Sequence, residues 1–170
     1  NSLSVDYYDL GQYDKALALQ EHTLKLRRAK LGEDDPDTLI SMNNLAATYS
    51  ALGQYDQAMA LGEQTLKLRR AKLGEDHPDT LISMNNLAVT YRDLGQHDQA
   101  LALNGQTLKL YRAKLGEDHP ATLNSMNSLS VDYYDLGQYD KALVLQEHTL
   151  KLRRAKLGED HPDTLDSMSN

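Results

Sequence analysis

Apolar residues along the chain fall into two alternating helical stripes, separated by short polar punctuation. After Pro78, the residues Leu81, Met84, Leu87, Ala88, Tyr91 and Leu94 recur at three- and four-residue steps, which places them on one face of a helix. Gly95 ends that stripe. A second helix begins near Asp98, with Ala100, Leu101, Leu103, Leu108, Leu110 and Leu115 on a broader apolar face, and Gly116 ends it. Pro78 suits a first helical turn, where its missing N–H costs nothing, and Asp76 or His77 can cap the free amides beside it. Asp98 is expected to cap the second helix, and Gly116 to close it in the left-handed conformation. The pattern thus predicts a helix of about 16 residues followed by one of about 18.

The same pair recurs with a period of 42 residues. Leu31-Gly32-Glu33-Asp34-Asp35-Pro36-Asp37-Thr38-Leu39 returns, with His for Asp35, at Leu73 to Leu81, at Leu115 to Leu123, where Ala121 also replaces Asp37, and at Leu157 to Leu165. Residues 37–78 match residues 79–120 at 34 of 42 positions, a degree of identity that points to recent duplication. A fixed period of this length implies a stack of helix pairs, each burying its apolar face on its neighbours. The expected organisation is one array over 1–170, with units at about 35–76, 77–118 and 119–160 and partial units at 1–34 and 161–170.

Leu45-Ala46-x-x-Tyr49-x-x-Leu52-Gly53-Gln54-Tyr55-Asp56-x-Ala58 resembles the helix-turn-helix signature of the tetratricopeptide repeat. The long second helix followed by Gly-Glu-Asp-His-Pro is similar to the 42-residue variant of kinesin light chains and nephrocystin-type proteins. The resemblance covers the whole chain and implies an all-α fold, a right-handed superhelical α-solenoid of stacked antiparallel helix pairs. It also implies a concave groove, lined by the first helix of each pair, that binds an extended peptide or partner protein. The sequence departs from the common pattern late in the second helix, where Thr23, Thr65, Thr107 and Thr149 stand at the small position. Gln20, Gly62, Asn104 and Gln146 stand where a bulky apolar residue is usual, so Leu19, Leu61, Leu103 and Leu145 are expected to supply the packing.

On a helical wheel the first helix's core stripe leaves an opposite face that stacking turns into the groove. Across repeats this face carries a column of Asn43, Asn85 and Asn127, with Asn1 in phase. Flanking it are Val5, Ala47, Val89 and Val131, the variable series Tyr8, Ser50, Arg92 and Tyr134, and the acids Asp9, Asp93 and Asp135. An Asn amide both donates and accepts, so such a column can pair with the N–H and C=O of an extended peptide. The other reading is that the asparagines are solvated or tie neighbouring helices together. Tyr8, Arg92 and Tyr134 are of the types enriched at binding hot spots and would supply selectivity.

Lys67-x-Arg69-Arg70-x-Lys72 recurs in each unit except that Tyr111 replaces one Arg. A helix C-terminus favours cations and the following N-terminus favours the acids of Gly-Glu-Asp, while Glu21–Lys25, Glu63–Lys67 and Glu147–Lys151 are spaced as i to i+4 pairs. Arg27, Arg69 and Arg153 point along the apolar face instead. Their stems are expected to cover the core while their heads reach Asp or Glu of the next unit.

Charge and composition narrow the function. A net charge of -7, with Lys+Arg 18 against Asp+Glu 25, argues against nucleic acid, whose phosphates are held by clustered cations. No apolar run is long enough for a membrane helix and no signal peptide opens the chain, so a cytoplasmic protein without membrane contact is expected. With Cys 0 there are no thiolate metal sites, and His77, His119 and His161 stand one repeat apart, so no metal and no cofactor is expected. Catalysis needs unlike groups with pKa values pushed apart, whereas near-identical units present like residues at fixed distances. The chain reads as a non-catalytic interaction module.

Both ends fall within a first helix, and the missing initiator Met suggests excision from a longer array. The two half-helices are complementary in phase, so head-to-tail self-association is the competing expectation. It would bury Leu3, Tyr7 and Leu10 of one copy against Leu165 and Met168 of another.

Overall fold

The computed structural model describes residues 3–169, and these form helices joined by tight turns, without strands. The chain divides into two compact units, Asn1–Leu94 and Gly95–Asn170. The first holds α1 (Leu3–Asp9), α2 (Tyr13–Leu31), α3 (Pro36–Ala51), α4 (Tyr55–Leu73) and α5 (Pro78–Asp93). The second holds α6 (His97–Leu115), α7 (Pro120–Asp135), α8 (Tyr139–Leu157) and α9 (Pro162–Ser169). Complete first helices run 16 residues and second helices 19, close to the lengths read from the pattern.

Each long first helix starts at its proline, and the residue before it is the cap. Asp35 Oδ1 accepts the Asp37 N–H at 2.9 Å, and Nδ1 of His77 and of His119 accepts the N–H two residues on at 3.2 Å. His77, not Asp76, is therefore the capping side chain. Second helices start differently: Gln54 N–H bonds the Tyr49 carbonyl at 2.8 Å while its own carbonyl accepts from Ala58 at 3.0 Å. One residue ends the first helix and begins the second, which leaves no place for a separate side-chain cap. Correspondingly α6 begins at His97 behind Gln96, and Asp98 lies in its first turn, where its charge faces the free amides. Gly116 has φ 90° and ψ 170°, an extended mirror-image conformation open essentially to glycine, rather than the left-handed helical one.

Each unit has its own apolar core, built from the second helix of one repeat and both helices of the next. In the first unit Leu24 of α2 meets Leu39, Met42 and Leu45 of α3, with Leu61 and Leu68 of α4 against them. In the second, Leu108 of α6 meets Leu123, Met126 and Leu129 of α7, with Leu145 and Leu152 of α8. Leu115, expected on the apolar face, is exposed at the helix end. Thr65, Thr107 and Thr149 are buried because each hydroxyl donates to the carbonyl four residues earlier in its own helix, at 2.7–2.8 Å. The neighbouring position is polar and buried at Gln20 and Asn104, while Leu19 is exposed, so the expected leucine substitution holds only in part. At Gly62 an added Cβ would stand 3.1 Å from Leu87 Cδ1, so Leu87 fills the space a larger residue would take.

Polar staples join one repeat to the next. Arg69, 4% exposed, donates through Nη1 to the Asp79 backbone carbonyl at 2.7 Å and to Ser83 Oγ at 2.8 Å. Arg27 makes the same two bonds to the Asp37 carbonyl and Ser41 Oγ, and Arg153 the same pair to Asp163 and Ser167. The heads thus reach a carbonyl and a hydroxyl, not the expected carboxylates. Burial lowers the Arg69 pKa, partly offset by the nearby Asp79 charge. The exposed cations bond the Gly-Glu-Asp loops: Arg70 meets Glu75 at 2.9 Å, and Lys72 meets Asp34 of the preceding repeat at 3.1 Å, which holds the Asp34 carboxyl below its ordinary range.

Candidate functional site

In the first unit α1, α3, α4 and α5 border a cavity of about 320 Å³, lined in part by outer-face residues of α1, α3 and α5 and in part by the buried Ala46, Ser83, Leu87 and Thr90. Its walls are narrow because α3 contributes Ala47 and Ala51, and α4 contributes Ala58 and Gly62 beneath. Of the residues singled out from the sequence, Asn43, Ser50 and Asp93 line it, with Tyr8 and Val89 alongside. Ser50 Oγ donates to Asp93 Oδ2 at 3.4 Å, closing a polar seam between α3 and α5. Tyr8 stands edge-on to Tyr13 with ring centroids 5.2 Å apart, and burial, with help from Tyr13 and Asp9, raises its pKa.

Asn43 serves the stack as well as the cavity. Its Oδ1 accepts from Ser83 Oγ at 3.3 Å and from Asn86 Nδ2 at 3.4 Å, both on α5, while its Nδ2 stays available. The helix-tying reading of the asparagines therefore holds for one half of this amide. Asn85 and Arg92 lie on α5 outside the cavity lining. Asn127, Tyr134 and Asp135 are on α7 in the second unit, where Tyr134 is exposed and edge-on to Tyr139 at 5.1 Å and Asp135 lies 3.8 Å from His97 Nδ1. The apolar residues singled out for self-association are largely open, Leu3, Leu10, Leu165 and Met168 all being exposed, whereas Tyr7 is half-buried beneath Lys15 at 5.3 Å.

Two features escaped the sequence reading. Glu21 and Glu63, assigned there to lysine partners, accept the hydroxyls of Tyr49 and Tyr91 at 2.7 Å, tying each second helix to the next first helix. Burial, with the hydrogen bond and charge of the glutamate, pushes both tyrosines up to about 12. In the second unit Asp132 of α7 is fully buried, and Asn104 Nδ2 of α6 donates to its Oδ2 at 2.6 Å. The visible signal was Asp132 standing in register with Thr48 and Thr90, a charge in a column of buried hydroxyls.

A family model described as tetratricopeptide repeat matches residues 1–71, 61–113 and 91–155, and so spans most of the chain. The chain belongs to the tetratricopeptide repeat family. Among solved structures it is similar to the nearly identical TPR-like repeats of a Podosopora anserina kinesin light chain, with 31% identity over 97% of this chain and 78% of that one, at a TM-score of 0.88. BtubC (BKLC) from P. vanneervenii is similar at 26% identity over 98% of this chain and 66% of that one, at a TM-score of 0.84. The fold alone is shared with the MamA RS-1 ArsTM double mutant, at 15% identity over 91% of this chain and 74% of that one, with a TM-score of 0.67. No curated protein matches the chain. Tetratricopeptide repeats are protein-interaction scaffolds, and these neighbours place the chain among the kinesin-light-chain-like arrays. No helix among the described residues is long and apolar enough to cross a membrane.

Proposed function

We propose that this tetratricopeptide array is a non-catalytic, cytoplasmic scaffold that holds an extended peptide segment of a partner protein along the first-helix face. The observation that carries the reading is the α1–α3–α5 cavity, whose small walls leave room for a backbone and whose Asn43 keeps two amide donors for a peptide carbonyl. Ser50, Asp93 and Tyr8 would read side chains in the first unit, beside Asn85 and Arg92 of α5, and in the second unit Asn127, Tyr134 and Asp135 would offer a peptide the corresponding face of α7. A peptide library screened against the chain and against Asn43→Ala/Asn85→Ala tests this. Each lost hydrogen bond is expected to cost about 1 kcal/mol, or roughly fivefold in affinity, with the melting temperature kept within a few degrees. Unchanged peptide affinity in the double variant would falsify the groove assignment.

Self-association is the second reading, favoured by the exposure of Leu3 on α1, of Leu10 in the turn after it, and of Leu165 and Met168 on α9. An apolar end that meets an unlike end of another copy without closing builds an open filament. Light scattering over a roughly hundredfold concentration range separates the readings. A mass that climbs without plateau, and stops climbing in Leu3→Asp, supports assembly; a constant 19.1 kDa species removes it.

A further inference from the structure

The Glu–Tyr tie that joins neighbouring repeats in the first unit is missing at one place in the second. Position 105, in register with Glu21 and Glu63, is glycine, and Tyr133, in register with Tyr49 and Tyr91, has no carboxylate partner. Beside it a cleft of about 520 Å³ opens between α6 and α8 over α7. Leu108, Leu129, Val144 and Leu145 make it largely apolar, and Val144 is 67% exposed. Its rim carries Arg112 and His148, both engaged by Glu117, the acid Asp140, and Lys141, the rim cation not held by a carboxylate. Lys141 sits 5.4 Å from the Tyr133 ring centroid and donates to Gln138 Oε1, and Arg112 and His148 share Glu117. Such a volume is in the range of binding pockets, and it lies on the second-helix side of the unit, away from the first-helix face.

We propose that this cleft is a second docking site, for an acidic peptide segment of a partner protein in which a glutamate stands beside a leucine-sized apolar side chain. The partner's carboxylate takes the place on the Tyr133 hydroxyl that the chain's own glutamate holds on Tyr49 and Tyr91, within reach of Lys141. The neighbouring apolar side chain covers Leu129 and Val144. Gly105 is what leaves the position open. An added Cβ there would stand 4.0 Å from Leu129 Cδ1, an ordinary contact, so the glutamate could be restored without disturbing the core.

The test uses the isotope-labelled chain and two blocked soluble peptides, one with a Leu-Glu pair in a Ser/Gly background and one with Gln for Glu. The Glu peptide should shift the amides of Gly105, Leu108, Tyr133 and Val144, and the Gln peptide should bind about fivefold or more weakly, the worth of one charge-assisted hydrogen bond. Tyr133→Phe should reproduce that loss. Gly105→Glu should close the site from within while holding or raising the melting temperature, so its loss of binding cannot be put down to unfolding. Equal binding of the two peptides, shifts confined to the first-helix face, no shifts at all, or full binding by Gly105→Glu would each overturn the proposal.

Discussion

At the scale of single residues, the chain's polar side chains do structural work that composition hides. Tyr49 and Tyr91 keep their protons up to about pH 12, because burial and the partner glutamates oppose a second negative charge. An unfolded tyrosine titrates near 10, so between about pH 10 and 12 the unfolded chain has released protons that the folded one retains. The contribution to stability is therefore complete below pH 10 and is lost as pH rises toward 12. Tyrosinate absorbance should show a component that titrates at about 12, and Glu21→Gln with Glu63→Gln should bring it earlier. Unaltered titration in that double variant would leave burial as the whole cause. Arg69 is a second case. Arg69→Ala removes the bonds to the Asp79 carbonyl and Ser83 Oγ, and a loss of about 1–3 kcal/mol is expected in urea unfolding. A drop in peptide affinity at unchanged stability would instead make Arg69 a ligand contact.

At the scale of the helix, start signals were legible where they depend on one residue type and illegible where they depend on a shared turn. Pro36, Pro78 and Pro120 mark helix starts because proline fits only the first turn, and the residue ahead of each was readable as a cap. Asp98 misled because the turn at Gln96 closes one helix and opens the next, a geometry with no side-chain signature. The histidine caps give a prediction at this scale. His77→Ala should cost about 1 kcal/mol, and His77→Asp should not, since Asp35 already performs the same capping in the preceding repeat. Thermal unfolding of the two variants decides it, and equal losses would mean that Pro78 alone sets the helix start. Helical periodicity in the same way put Asn43, Ser50 and Asp93 on one face, and these three line one cavity. The Glu–Tyr ties and the Asn104–Asp132 pair were not, because they join positions 28 residues apart through the stacking of two helices, and no local pattern encodes that distance.

At the scale of the whole molecule, each apolar core is shared by adjacent repeats and by nothing further along the chain, so damage should stay local. Met126 is fully buried among Leu108, Leu123 and Leu129, and Met42 is its counterpart among Leu24, Leu39 and Leu45. Truncating either to Ala removes the transfer energy of its thioether chain and leaves a cavity, together about 2–5 kcal/mol. In a stacked array, stability is a sum of repeat terms and nearest-neighbour terms. Met126→Ala should therefore speed amide exchange in α7 and in the flanking α6 and α8 while α3 keeps its protection, and Met42→Ala should do the reverse. Uniform loss of protection along the chain in either variant would mean that all repeats unfold as one. That outcome would bear on binding too, since an array that opens locally can release a ligand from one repeat at a time, whereas a fully cooperative one must hold or lose the whole groove together.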